Sequence, residues 1–403
     1  IREVIETIQK HDSQERFCGL GVRVGYGNPE FLDEHTISIS GSKFSSRKFV
    51  LATGSSPAVP PIKGLDQVSY LTNREIFSLD KLPSRLIILG AGAIATEMAQ
   101  AFSRLGSQVS VIQRSEQILS NEDRDMADEV QKRLELEGVQ YYLNTRVKEV
   151  AENQGEECEV VFLDKNGQEQ TVRGEQVLVA LGRKPNLEGL NLEAAGVEYN
   201  KKGVPVDEKM RTNKKNIYAA GDVTGKYLFT HAAGYEGGII VSNAAFHLPR
   251  KVDYTLLPWC TYTSPELASI GYNEKRAREA GIDYQVWTES FNSNDRSLAE
   301  GEKDGCIKLL LDSGEKPIGV QILGPHAGEL ISEWVAALNA GMRMTTLVSS
   351  VHPYPTLAEI NKAVAGKFLQ PKIFSQRVQK LLKFFFHFKG RACDPSADTG
   401  NIR

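Results

Sequence analysis

The 403 residues are enough for two or three domains, each with its own core. A net charge of -3 gives no reason to expect nucleic acid, and no apolar run is long enough to span a membrane or to read as a signal peptide. Five scattered cysteines (Cys18, Cys158, Cys260, Cys306 and Cys393) show neither C-x-x-C nor C-x-x-x-x-C spacing and no histidine at zinc-ligand distance, which predicts reduced thiols in a cytoplasmic compartment and no metal site.

In chain order, Ile1, Val4, Ile5 and Ile8 recur at helical spacing from the first residue, with no initiating Met, which predicts that upstream sequence belongs to the same unit. Short strands are expected at residues 21–24 and 36–40. An apolar strand over 48–54 then closes on Ala52, Thr53 and Gly54, small residues that let another backbone or a ligand come close. The run PAVPP, residues 57–61, makes a stiff linker.

Residues 86–114, LIILGAGAIATEMAQAFSRLGSQVSVIQR, form a complete strand-helix-strand unit for binding a dinucleotide. Gly90 allows the tight turn, Gly92 lets the backbone approach a pyrophosphate, and Ala95 lets helix and strand pack closely. The amides that open the helix, at Ala93 and Ile94, then face the phosphates, where the helix dipole favours negative charge. Where an NAD site would place a carboxylate for the ribose, the second strand ends in Gln113 and Arg114. A guanidinium there suits a 2'-phosphate and predicts a preference for NADPH, although Glu116 lies near enough to reach a ribose.

A helix follows over 123–136, with Met126, Val130 and Leu134 on one face and Gly138 at its end. Strands are expected at 139–143 and 160–163, a hairpin turn at 164–167, and a buried strand at 177–181 before Gly182, Arg183, Lys184, Pro185 and Asn186. The next strand closes on Ala219, Ala220, Gly221 and Asp222, which reads either as a ligand-binding tip at a sheet's carboxyl edge or as a cap for the following helix. From about residue 254 the pattern is α+β, with strands at 269–272, 307–311 and 318–323 and helices at 274–280 and 330–340. Between two helices lies the polar, aromatic loop 351–359, VHPYPTLAE, stiffened by Pro353 and Pro355. In the tail, Val378, Leu381, Leu382, Phe385 and Phe388 share a helical face flanked by Arg377, Lys380, Lys383, Lys389 and Arg391. That tail reads either as a helix packed on its own protein or a partner, or as a basic amphipathic helix on an anionic membrane, with disorder from Asp394.

The order of ATG strand, Gly-x-Gly-x-x-Ala unit, Gly-Arg-x-Pro-Asn, AAGD and Pro-rich loop resembles the pyridine nucleotide-disulfide oxidoreductase family, in its dihydrolipoamide dehydrogenase and mercuric reductase branch, over residues 1 to about 368. The resemblance implies an α/β protein with two Rossmann-like three-layer nucleotide-binding domains and a C-terminal α+β dimerisation domain. The FAD domain would be residues 1–80 and 184–253, the NAD(P) domain 81–183, the dimerisation domain 254–368 and the tail 369–403. It implies a homodimer that oxidises NAD(P)H through FAD. Thr53 and Gly54 would lie at the flavin nucleotide, Gly27 near its adenine end, and Asp222 at the ribityl chain. Leu228, Phe229, Thr230 and His231 would start a helix aimed at the flavin O2 edge, and Arg183 joins this FAD set. The NAD(P) set is Gly90, Gly92, Ala93, Ile94, Ala95, Arg114, Val147 and Gly182, with Glu97 orienting the nicotinamide.

Three departures qualify the resemblance. The family's opening β-α-β unit, with its main FAD phosphate loop and redox C-x-x-x-x-C, does not occur in these residues, so they predict an N-terminally truncated chain that cannot itself run dithiol chemistry. Where the dehydrogenases carry His-x-His-Pro-Thr, this chain reads His352, Pro353, Tyr354, Pro355, Thr356, Leu357, Ala358 and Glu359. Tyr354 thus stands at the acid-base His, and a phenol with an ordinary pKa near ~10 is a poor proton shuttle at neutral pH. Tyr354 and Glu359 resemble the mercuric reductases, whose Tyr helps to hold the metal ion. Against that, Cys393 has no vicinal partner, and the second active-site Tyr of that branch falls near Thr230. The acceptor is therefore a disulfide, a metal ion or another small molecule, and a catalytically silent nucleotide-binding partner with a docking tail is the alternative.

Overall fold

The computed structural model describes residues 1–153 and 157–386. At its centre is a four-stranded parallel sheet in the order Gln176–Val179, Arg85–Leu89, Gln108–Ile112, Gln140–Tyr142. Residues Leu86 to Leu89 are all buried, as an unbroken apolar strand covered on both faces must be. Their alternation divides them between two layers. Leu86 and Ile88 pack with Ala95, Ala99, Met126 and Val130, from the helices Ala93–Leu105 and Arg124–Leu136. Ile87 and Leu89 face Val150, Val160 and Phe162 of an antiparallel meander, Arg146–Asn153, Glu157–Leu163 and Glu169–Gly174.

Around this lie smaller sheets. Phe49–Leu51 pairs in parallel with Ile217–Ala219, and Ser55–Pro57 pairs antiparallel with Arg183–Pro185, so the chain on either side of the central unit comes back together. The three-stranded sheet Pro29–Asp33, Thr36–Ile39, Ser42–Ser45 covers the first pair through Phe31, which meets Phe49 edge to face at 5.3 Å. Residues 21–24, expected as a strand, form none: no neighbouring segment offers them a ladder, and Val22 is exposed.

The last folded unit is a five-stranded antiparallel sheet in the order Trp259–Thr261, Glu266–Gly271, Pro317–Gly324, Cys306–Asp312, Tyr284–Ser290. The helices Ala327–Asn339, Met344–Ser349 and Glu359–Ile373 bury Trp334, Ile331 and Phe368 against it. The outer strands, Trp259–Thr261 and Tyr284–Ser290, are the ones the sequence does not announce, because an edge strand buries few side chains. The tail helix Gln376–Phe386 buries no residue, while Phe388, Lys389, Arg391, Cys393 and everything from 387 onward lie outside the described residues.

Candidate functional site

The dinucleotide turn has the geometry its residues demand. Gly90 adopts φ +102°, with its N-H bonded to Ile112 O at 2.9 Å. Gly92 caps the helix Ala93–Leu105 without any side-chain bond, and a Cβ there would meet nothing within 4 Å. Gly92, Ala93 and Ile94 are exposed while Ala95 is fully buried. The helix start therefore presents uncapped amides to open space, as a bound phosphate requires. Arg114 is exposed beside it, whereas Glu116 is engaged by Arg124 at 3.1 Å. Arg114→Ala should raise the KM for NADPH about tenfold, the worth of one charged hydrogen bond, and leave that for NADH unchanged in steady-state assays. Gly182 is exposed at the sheet's carboxyl edge, and Val147 packs half-buried against the meander's apolar cluster.

A second cluster joins the chain before and after the central unit. Thr53 Oγ1 donates to Asn186 O and Asn186 Nδ2 donates back to Thr53 O, both at 2.8 Å, which fixes the Thr53–Gly54 turn. Arg183 Nε donates to Ser55 Oγ at 2.7 Å, Ser55 Oγ donates to Asp222 Oδ2 at 2.5 Å, and the Arg183–Asp222 pair lies at 3.5 Å. From behind, the fully buried Glu236 accepts from Gly221 N at 2.6 Å and from Tyr254 OH at 2.7 Å. Burial and that carboxylate push the Tyr254 phenol up, so it stays a donor. Glu236, on the buried face of the helix Thr230–Ala244, is a positioning residue that sequence reasoning missed. Gly27 lies apart, against the side chains of Ile39 and Ser40.

Where the C-terminal sheet meets the start of the helix Thr230–Ala244 lies a cleft of about 450 Å³ whose lining includes His231, Tyr235, Trp259, Cys260, Tyr262 and Gly328. Leu228 is exposed, and Phe229 is the uncapped N-cap of the helix Thr230–Ala244, its ring stacked on His231 at 5.2 Å. His231 is held in turn by Pro258 O, 2.7 Å from its Nε2. On the opposite side, Glu97 Oε1 accepts from Tyr262 N at 2.8 Å, and burial raises its pKa. Gln100, one turn on, exchanges two bonds with the backbone of Ser264, at 2.7 and 2.8 Å, so one face of the nucleotide helix is docked to the C-terminal sheet. Glu122 strengthens this junction: it accepts from Trp259 Nε1 at 2.6 Å and from Ser269 Oγ and Gln321 Nε2 at 2.8 Å. Burial raises the Glu122 pKa despite those donors.

The loop at 351–359 lies in another place on the surface. Tyr354 is exposed and donates to Asp295 Oδ2 at 2.9 Å, a bond that raises its pKa and leaves it less able to shuttle protons. Glu359 Oε2 accepts from Thr356 N at 3.3 Å, bracing the turn. His352 instead points inward to Glu333 at 2.9 Å, and Glu333 is bonded to Asn361, so this imidazole is a strut. Among the described residues the thiols form no redox pair: Cys18, Cys158, Cys260 and Cys306 are all free, and burial raises Cys158, Cys260 and Cys306, the last to about 11.

A parallel dinucleotide sheet docked through Glu97 and Gln100 onto an antiparallel C-terminal sheet, with a second nucleotide-type tip at Asp222, defines a two-nucleotide redox protein. The chain belongs to the pyridine nucleotide-disulphide oxidoreductase family: the model of that name matches residues 3–237, and the family's dimerisation domain matches residues 257–365. It is 37% identical to a mercuric reductase of Staphylococcus aureus over 361 residues, 88% of this chain and 66% of that protein. It is 35% identical to a dihydrolipoyl dehydrogenase of Bacillus subtilis, covering 84% of this chain and 74% of the relative. Among solved structures, a Cu(II) complex of the HOCl-induced flavoprotein disulfide reductase RclA from Escherichia coli superposes with a TM-score of 0.78 at 27% identity, over 85% of this chain and 78% of that one. The chain thus spans just under two-thirds of the length of the Staphylococcus mercuric reductase.

Proposed function

We propose that the chain belongs to a homodimeric flavoenzyme that oxidises NAD(P)H, preferably NADPH, and delivers electrons to a small acceptor, with a soft metal ion favoured over lipoamide. The observation that carries this reading is the cleft, where the docked Glu97 and the uncapped start of the helix Thr230–Ala244 converge through Tyr262 and His231. The residues fit both nucleotides: an open helix start beside Gly92 for one, and for the other the Thr53–Gly54 turn, Asp222 and a second uncapped helix start. FAD held there would supply hydride acceptance from the nicotinamide and onward electron transfer. Glu97 would orient the nicotinamide carboxamide, Asp222 would accept from the ribityl chain, and the Thr230 and His231 amides would stabilise negative charge at the flavin edge. We divide the chain into an FAD domain of residues 1–80 and 184–253, an NAD(P) domain of 81–183, a dimerisation domain of 254–368 and a tail of 369–403. The enzymes named among its relatives favour catalysis over a silent binding role.

For the acceptor, the Tyr354 phenol and the Asp295 carboxylate form an exposed oxygen pair, and the relatives include mercuric reductases and a protein seen with Cu(II). Tyr354→Phe should lower NADPH-dependent Hg(II) reduction about tenfold, as loss of a metal-positioning contact does, and leave reduction of an organic dye unchanged. Unchanged Hg(II) turnover in the variant would remove Tyr354 from acceptor handling. We place the protein in a cytoplasmic, thiol-reducing compartment, with its tail as a docking element toward a membrane or another protein.

A further inference from the structure

The C-terminal arm is unlike the rest of the chain in charge. Between Glu359 and Asp394 there are eight basic residues (Lys362, Lys367, Lys372, Arg377, Lys380, Lys383, Lys389 and Arg391) and no acidic one, although the whole chain carries 51 acidic residues against 48 basic. Within this arm the helix Gln376–Phe386 interleaves Arg377, Lys380 and Lys383 with Leu381, Leu382, Phe384 and Phe385. None of its residues is buried, Phe384 is 74% exposed and Phe385 63%. Among the described residues, no carboxylate pairs with Arg377, Lys380 or Lys383.

A second feature continues the same face. Where the helix Glu359–Ile373 runs toward the tail helix, a cleft of about 730 Å³ opens with an apolar floor that includes Leu338, Met342 and Leu369. Its rim carries Lys316, Arg343 and Lys372 against one carboxylate, Glu315, which pairs with Lys372, and Lys372 also lies over the Phe368 ring at 4.3 Å. Ile373 and Phe374, exposed at the junction, link this cleft to the tail helix. Apolar floor, a rim of net positive charge and exposed aromatic rings form one continuous surface.

We infer that this surface, the tail helix together with the cleft at its base, docks the protein on an anionic phospholipid bilayer. Among the described residues no helix is long and apolar enough to cross a membrane, so the helix lies in the interface plane with Leu and Phe in the acyl boundary and Lys and Arg among the headgroups. Charge decides between lipid and protein. Protein interfaces exclude Lys from their cores, whereas here a Lys or Arg recurs at every helical turn beside the apolar residues that would be buried. An anionic leaflet complements every one of these cations at once. The inference deepens the docking role proposed for the tail and does not depend on the redox reading.

The test is co-sedimentation of the full-length protein with vesicles of phosphatidylcholine alone and of phosphatidylcholine with 30 mol% phosphatidylserine, alongside the triple variant Arg377→Glu, Lys380→Glu, Lys383→Glu and a deletion of residues 374–403. Binding to the serine-containing vesicles only, weakened at least about a hundredfold in the triple variant and lost in the deletion, is the expected result. Unchanged NADPH oxidation in the variants shows that they are folded. Equal binding to both vesicles would overturn the charge argument. No vesicle binding would overturn the membrane assignment, and light scattering then separates two cases. A mass that falls on tail deletion makes the tail a subunit contact, and an unchanged mass removes the docking role altogether.

Discussion

Gly90→Ala should unfold the nucleotide turn, costing about 3 kcal/mol of stability and abolishing NADPH binding. A side chain at φ +102° carries roughly 1–3 kcal/mol of backbone strain by itself. The added Cβ would also lie 2.4 Å from Ala180 O, and that carbonyl cannot retreat, because the Ala180 N-H is bonded to Leu89 O across the parallel sheet at 2.9 Å. Gly92→Ala is the control. Its Cβ meets nothing and its φ is -76°, so the protein should keep its stability to within about 0.5 kcal/mol while NADPH affinity falls, because the methyl group occupies the space a pyrophosphate needs. Thermal melts with and without NADPH read both effects. Equal stability of the two variants would contradict the account of the turn.

Lys308→Met should cost about 3–5 kcal/mol, since it strands buried carboxylates without their cation. The Lys308 side chain is 2% exposed, and its Nζ lies 3.2 Å from Asp123, 2.6 Å from Asp125 and 3.0 Å from Glu274. Asp123 begins the helix Arg124–Leu136 beside the nucleotide sheet, and Lys308 is on the C-terminal sheet, so this cluster clamps those two units together. Exposed Asp125 contributes little; the loss comes from Asp123 and Glu274. The pH dependence carries a sign. Burial alone would raise Glu274, but the Lys308 hydrogen bond and charge hold it below the ordinary carboxylate range. A depressed carboxylate stabilises the fold above its unfolded pKa, near ~4.3, and that stability is lost as pH falls through the folded value. Burial acts to lower Lys308, but its bonds to Asp125 and Glu274 raise it overall, so its contribution is complete below the unfolded pKa, near ~10.4, and is lost above it. The melting difference between wild type and variant should therefore be largest between about pH 5 and pH 9 and shrink below about pH 4. A difference that grows on acidification would refute the clamp.

Much of the site is legible because its signals are local. Gly90, Gly92 and Ala95 declare their turn within six residues, and Thr53, Gly54 and Asp222 close apolar strands on small residues. What the sequence hides is held by partners far along the chain. Glu236 reads as an ordinary helix position until it is found accepting from Gly221 N, and Tyr262 matters only because its backbone N-H reaches Glu97 across 165 residues. Lys308 lies in a strand whose pattern predicts an apolar residue, and only the three carboxylates show why it is tolerated. The meander strand Arg146–Asn153 escapes notice for a different reason. Its register shifts opposite Val161 and Phe162, which breaks the alternation a pattern search relies on. His352, in the same loop as Tyr354, is tied inward to Glu333, a partner 19 residues away that the loop's own residues do not announce.

The most direct test of the central claim is an anaerobic visible absorption titration of the protein purified at its natural full length, first with NADPH and then with NADH. Flavin bands that bleach with NADPH at lower concentration than with NADH would establish the path from the Gly90–Ala95 turn to the helix at Thr230. A protein without flavin bands, or with bands that neither nucleotide bleaches, would contradict it.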